Sequence, residues 1–140
     1  MKDVTNSGRG LPIPESDLMN QPFWDEARQN RFVLPKCATC HHLMAPPVAN
    51  CSVCLGRSFE WISSSGRGSV YSFIEYFRAW MPQYEGKIPY VVAVIALDEG
   101  PRMIAGIVGI SDKKLDVGAR VSVSFQERDG GSWVPMFALE

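Results

Sequence analysis

Cys37-Ala38-Thr39-Cys40 and Cys51-Ser52-Val53-Cys54 hold every cysteine of this chain in two CxxC pairs, with ten residues between them. A CxxC turn lets two thiolates from one tight loop reach the same ion, and a second such turn completes a tetrahedral four-sulfur site. The spacing therefore predicts one structural Zn2+ held by Cys37, Cys40, Cys51 and Cys54. A four-thiolate ion has no coordination position open to substrate, so its role is folding, and it uses up every thiol that could act as a nucleophile. Binding supplies on the order of 10 kcal/mol to a unit too small to hold itself together. Iron is the competing ion and would make an electron carrier, although the interval is short and the aromatic surround thin for that use. A thioredoxin-like redox role would need a βαβ context that neither pair has.

The segments around the knuckles complete the outline of a zinc ribbon. Upstream, Asn20 or Gln21 can cap a helix, Pro22 suits its first turn and Asp25-Glu26 suit the positive end of its dipole. That helix is expected to run to about Asn30, with Phe23 and Ala27 on one face and Trp24 beside them. Phe32 to Lys36 leads into the first knuckle, Pro46-Pro47 ends the segment between knuckles, and Phe59 to Ile62 reads as the return strand. Ser63-Ser64-Ser65-Gly66 is a polar hinge. The expected organisation is a flexible arm over 1–19, helix plus ribbon over 20–65, and a second unit over 66–140.

Beyond the hinge the chain is mainly β. Strands are predicted at Ser69–Phe77, Tyr90–Leu97, Arg102–Val108, Arg120–Gln126 and Trp133–Phe137, with a short capped helical turn over Ser111–Leu115 after the third. Tyr90–Leu97 is apolar on both faces and so central or covered. In the fourth strand Val121, Val123 and Phe125 alternate inward. Five short strands with a helical turn after the third predict a five-stranded OB-fold barrel.

Composition narrows the function classes. The chain has 140 residues and a net charge of −1, which supplies no field for attracting nucleic acid or anionic membrane. The first ten residues are polar, without the apolar core of a signal peptide. The longest apolar run, 88–97, is about half the length that spans a bilayer. The expectation is a soluble cytoplasmic protein with no nucleic-acid or membrane partner. His41 and His42 are the only histidines, and they read as solvated loop residues because four thiols already satisfy an ion. There is no GxSxG, P-loop, GxGxxG or HExxH, so no catalytic residues are assigned to this chain.

Large side chains at strand ends suggest a surface for something else. Phe77, Trp80 and Met81 fall where a strand gives way to a loop, which points to a partner surface or a ligand lid. Tyr71 and Phe73 alternate as core residues would. Gly66-Arg67-Gly68 allows close backbone approach, with Arg67 able to grip a phosphate or carboxylate; Arg78, Lys87 and Arg102 are further basic candidates.

Taken together, these residues resemble a family of acyl-CoA-associated proteins that join a rubredoxin-like zinc ribbon to an OB-fold. The likeness runs from about Gln21 to near the end of the sequence. It rests on Pro22-Phe23-Trp24, the two knuckles with Pro46-Pro47, Gly66-Arg67-Gly68-Ser69-Val70-Tyr71-Ser72-Phe73, Pro89-Tyr90-Val91-Val92-Ala93, Leu97-Asp98-Glu99-Gly100-Pro101-Arg102 and Leu115-Asp116-Val117-Gly118. His41 follows the first knuckle where that family commonly has glycine, and Leu55 follows the second. The resemblance implies a non-catalytic accessory subunit of a thiolase-fold enzyme (thiolase, acyltransferase or aldolase), in a hetero-oligomer acting on acyl-CoA. The small subunit of an aromatic succinyl-CoA thiolase and a partner of an enoyl-CoA hydratase are variants of that theme. Phe23, Trp24, Phe77, Arg78, Trp80 and Met81 are then expected at the partner interface, and Arg67 at a CoA phosphate or an interface carboxylate. A single-stranded nucleic-acid module is the rival use of the same two folds.

Overall fold

The structure, a computed structural model, describes residues 19–46, 48–110, 114–128 and 131–140. The expected arm lies outside the described residues except for Met19, as does the turn at Ser111 except for Lys114 and Leu115.

Helix α1 (Gln21–Ala27) begins beside Pro22 as expected but ends three residues early. Asn30 then takes a left-handed φ of 57°, which asparagine tolerates. Asn20 sits at the N-cap without capping through its side chain. Its amide reaches across to the ribbon instead, accepting from the Val48 N–H at 3.1 Å and donating to the Val48 carbonyl at 3.4 Å. Asp25 and Glu26 lie beyond the first turn, a correction to the dipole expectation, and bond Gln21 and Arg31.

Strands β1 (Val33–Cys37) and β2 (Phe59–Ser63) pair antiparallel, from Val33↔Ser63 to Cys37↔Phe59. After the first knuckle the chain returns along β1, with Lys36 bridging Leu43 and the Met44 N–H donating to the Pro35 carbonyl. This is the strand–knuckle–return–knuckle–strand order read from the cysteine spacing.

Five strands then close a barrel in the order β3-β4-β5-β7-β6: β3 (Arg67–Tyr76), β4 (Tyr90–Leu97), β5 (Arg102–Val108), β6 (Arg120–Arg128) and β7 (Ser132–Leu139). β4 and β5 have the ends predicted for them; β3 starts two residues early, and β6 and β7 run longer. Closure rests on two short contacts, the antiparallel β3–β6 pairing over Arg67–Ser69 and the parallel β5–β7 pairing at Ile107 and Val108. Gly66 makes the first possible, and Gly68 lets β3 lie close against β4. Gly66 has φ 68°, and a Cβ there would collide with Val123 Cγ1; at Gly68 one would strike the Ala96 carbonyl. Close backbone approach is what both glycines serve, and at Gly66 it allows the barrel to close.

A register shift between Val70 and Ser72 inserts Tyr71 as a bulge. Val70 and Phe73 both turn inward as a result, and Tyr71 is left 51% exposed with the Arg102 guanidinium 3.8 Å above its ring. The core role expected for Tyr71 is corrected on this point, while Phe73 packs against the core as expected.

One hydrophobic cluster runs through helix, ribbon and barrel. Phe23, Phe32, Val33 and Leu34 join Val70, Ile95, Val121 and Phe137 within it. Phe32 is the junction, edge-on to Phe23 at 5.9 Å and to Phe137 at 6.1 Å. The hinge is also pinned. The Glu99 carboxylate accepts from the Ser64 hydroxyl, the Ser65 hydroxyl and the Ser65 N–H at 2.8–3.1 Å.

Candidate metal centre and exposed aromatic surface

The two knuckles have matching backbones. The Cys37 N–H donates to the His42 carbonyl and the His41 N–H to that of Cys37; likewise Cys51 N–H to Gly56 and Leu55 N–H to Cys51. His41 and Leu55 hold equivalent left-handed positions, φ 65° and 64°. That conformation suits glycine, which explains why these two residues stand out beside the knuckles.

The knuckles face each other so that their sulfurs interleave. Cys37 Sγ lies 3.5 Å from Cys54 Sγ, Cys40 Sγ lies 3.5 Å from Cys51 Sγ, and all four fall within 4.8 Å of one another. A tetrahedron with Zn–S bonds of about 2.3 Å has S–S edges of about 3.8 Å, so the donor set fits such an ion. Gly56 lies against the cluster, where a Cβ would stand 3.2 Å from Cys54 Sγ. Cys37, Cys51 and Met44, backed by Val48 and Phe59, form a small core beneath.

Electrostatics favour a cation here. The Cys40 N–H leads in drawing the Cys37 thiol down to about 6, against burial, helped by the Thr39 N–H and neighbouring thiols. The Cys51 thiol is lowered chiefly by the Cys54 N–H. At Cys40 the His42 N–H pulls downward, but burial and bonds from the other three thiols push it up to about 12. Four thiolates this close cannot all ionise without a positive ion between them. His41 and His42 are exposed and outside the four-sulfur group, as the sequence predicts.

The expected interface residues divide. Phe23 is only 2% exposed, wedged among Trp24, Phe32 and Trp61, so it supports the fold and offers no surface to a partner. Trp24 is half-buried beside it. Arg67 forms a bidentate pair with Glu140, 2.7 and 3.1 Å, which gives its guanidinium a carboxylate inside the chain in place of a phosphate. Arg120 is held likewise by Asp98 at 2.7 and 2.8 Å. Phe77 and Trp80, by contrast, are 70% and 67% exposed, Met81 is exposed beside them, and Arg78 lies 4.6 Å over the Trp80 ring.

These aromatics continue onto a sheet face that sequence reading missed. Ser72, Val94 and Ile104 lie in one cross-strand row, and Ile74, Val92 and Gly106 in the next. On that outer face Ile74 is exposed and Ile104 is 70% exposed. The signal was available in β5, whose Ile104 breaks the polar alternation much as β4 does.

Comparison with known proteins agrees with this architecture. Residues 24–60 match the ChsH2 rubredoxin-like zinc ribbon domain, and residues 61–126 the ChsH2 C-terminal OB-fold domain. A DUF35 domain-containing scaffold protein of Methanocaldococcus jannaschii is 31% identical over 89% of this chain and 91% of its own. A probable enoyl-CoA hydratase alpha subunit of Thermomonospora curvata is 35% identical over 90% of this chain, which spans only 39% of that relative's length. Among solved structures, a chain of the Ltp2-ChsH2(DUF35) aldolase superposes with a TM-score of 0.78 at 32% identity, covering 91% of this chain and 98% of that one. Ribbon, four-cysteine centre and closed barrel together place this chain in the ChsH2/DUF35 family of zinc-ribbon and OB-fold proteins.

Proposed function

We propose that this chain is a non-catalytic accessory subunit of a thiolase-fold enzyme that acts on acyl-CoA thioesters, with zinc as the ion at Cys37, Cys40, Cys51 and Cys54. The observation that carries the reading is a division of labour in the side chains. Every thiol is drawn into the four-sulfur centre, and both histidines lie exposed outside it. Phe77, Trp80 and Met81, meanwhile, stand out from the barrel next to the Ile74–Ile104 face. The chain has few means to make or break bonds and a broad apolar surface with which to bind. The bond-making groups then reside on the partner, and Phe77, Arg78, Trp80 and Met81 with that face form the docking surface. Trp24, at the rim of the helix, contributes at most an edge.

The relatives support this reading. Besides the Ltp2-ChsH2(DUF35) aldolase, the benzoylsuccinyl-CoA thiolase subunit BbsA of Thauera aromatica is 35% identical over 53% of this chain. A second reading has its own support, since two relatives are alpha subunits of hydratases, an enoyl-CoA hydratase and a 3-oxo-4,17-pregnadiene-20-carboxyl-CoA hydratase. In that case the catalytic partner has a hydratase fold.

Co-expression with the thiolase-fold subunit of the same genome, followed by size-exclusion chromatography and thioester assays, tests the proposal. A stoichiometric complex is expected, active only when both chains are present and disrupted by Trp80→Ala with Phe77→Ala. Thioester turnover by the purified, metal-loaded chain alone would overturn it. A complex with a hydratase-fold subunit and none with the thiolase-fold subunit selects the second reading.

A further inference from the structure

On the other side of the Tyr84–Tyr90 wall from Trp80, a cleft opens at one end of the barrel, between the 84–90 segment, the end of β5 and the paired β6 and β7. Its wall is a three-ring stack. Tyr84 lies on Tyr90 with centroids 4.5 Å apart, and Tyr90 on Tyr76 at 4.8 Å. Val92, Ile107, Ile110 and Met136 make the floor and far side apolar. Met136 occupies the space over Gly106, whose missing side chain lets it lie flat there.

Two cations face this apolar space. Among the described residues neither has an acidic partner: Lys87 Nζ donates only to the Gln83 carbonyl at 3.2 Å, and Arg128 reaches only the Met136 sulfur, at 3.9 Å. Glu75 also lines the cleft but lies in ion-pair contact with neither. The Arg128 Nε is buried, with no acceptor among the described residues. A buried charged donor left unsatisfied is costly, whereas even the more exposed guanidinium groups of Arg67 and Arg120 are met by carboxylate forks. The arrangement lacks an oxygen anion next to an apolar body.

We propose that this cleft binds a small organic acid whose carboxylate meets the Arg128 guanidinium, with Lys87 adding charge, and whose apolar body lies against the Tyr84–Tyr90 stack and Met136. OB-type barrels commonly use the corresponding face and loops for ligands, an analogy of fold that raises no claim about identity. The inference goes beyond the accessory-subunit reading and does not depend on it, because the site is built from this chain alone.

The test titrates the full, zinc-loaded chain with octanoate, following amide chemical shifts by NMR, with octanol, octylamine and inorganic phosphate as comparison probes. Octanoate is expected to shift the amides of 84–92, 106–110 and 126–128 and to bind about tenfold or more tightly than octanol, the strength of one charge-assisted bond. Arg128→Gln should abolish that preference, Arg128→Lys should keep part of it, and the spectra of both variants away from the cleft should match the parent to show that they fold. Equal binding of octanol and octanoate, phosphate binding as tightly as octanoate, shifts confined elsewhere, or an Arg128→Gln variant that retains the preference would each overturn the proposal. No partner subunit is present in this experiment, so its failure leaves the accessory-subunit reading untouched, and the reverse holds.

Discussion

Phe32→Ala removes the side chain that ties ribbon to barrel. Phe32 is 5% exposed and touches three rings: Phe23 at 5.9 Å, Phe137 at 6.1 Å and Phe125 at 6.5 Å. Emptying such a site costs about 3–5 kcal/mol, the upper part applying where edge-on ring contacts are lost as well. The surroundings have little freedom to collapse, because the Phe32 carbonyl is held by the Ser64 N–H and the neighbouring hinge by Glu99. The distinguishing feature is where the loss appears. With cobalt in place of zinc, thiolate–metal absorption reports the ribbon, while far-UV circular dichroism reports the barrel, in one urea titration. Both transitions should move together in Phe32→Ala, and Phe32→Leu, which keeps most of the volume, should cost under about 1.5 kcal/mol. A cobalt transition that shifts by itself, with the barrel transition unmoved, would refute the shared-core argument.

Other perturbations have expected outcomes. Chelation should unfold the ribbon and let the freed sulfurs take up protons, so protons compete with the metal and its apparent affinity should fall as pH is lowered, as read by competition with a coloured chelator at several pH values. Gly66→Ala should destabilise by about 2 kcal/mol or more, because it adds a clash with Val123 to a φ of 68°; adding Val123→Ala should restore only the part due to the clash, by thermal melts. His41→Gly or Leu55→Gly should be neutral or raise stability by up to about 1 kcal/mol, since relief of left-handed strain opposes added unfolded-state entropy. Asp98 and Glu140 both have carboxyls held below their usual range, first by hydrogen bonds from Arg120 and Arg67 respectively. Their contribution is therefore present above the unfolded carboxylate range and lost as pH falls through the lowered folded values. Because the pairs are exposed the effect is small; the urea midpoint difference between parent and Arg120→Met should shrink between about pH 4 and pH 2.

How far the chain could be read in advance depends on the range of the forces involved. β4 and β5 were legible to the residue, because turn residues at Asp98–Pro101 and long apolar runs bound them locally. Asn20 does not cap through its side chain because its amide is claimed by Val48, twenty-eight residues away, and the helix ends at Ala27, shortly before Asn30 turns left-handed. Tyr71 illustrates the same limit, since one bulged residue reverses which side of a strand faces the core, and no local pattern marks it. Phe77, Trp80 and Met81 were legible as exposed; that Ile74 and Ile104 share a face beside them follows only from the register of three strands.

The four-sulfur centre was determined by sequence alone, because metal ligation is set by residue type and short spacing within two tight loops. The barrel's strand count followed from local periodicity in the same way. What Arg67, Phe23 and Arg128 do was decided only in three dimensions. A guanidinium pairs with whatever carboxylate the barrel brings within reach, as at Glu140, and a ring is buried or exposed according to what packs over it. Glu140 lies 73 residues from Arg67 along the chain, and closure of the sheet brings the two together while it leaves Arg128 without a carboxylate among the described residues.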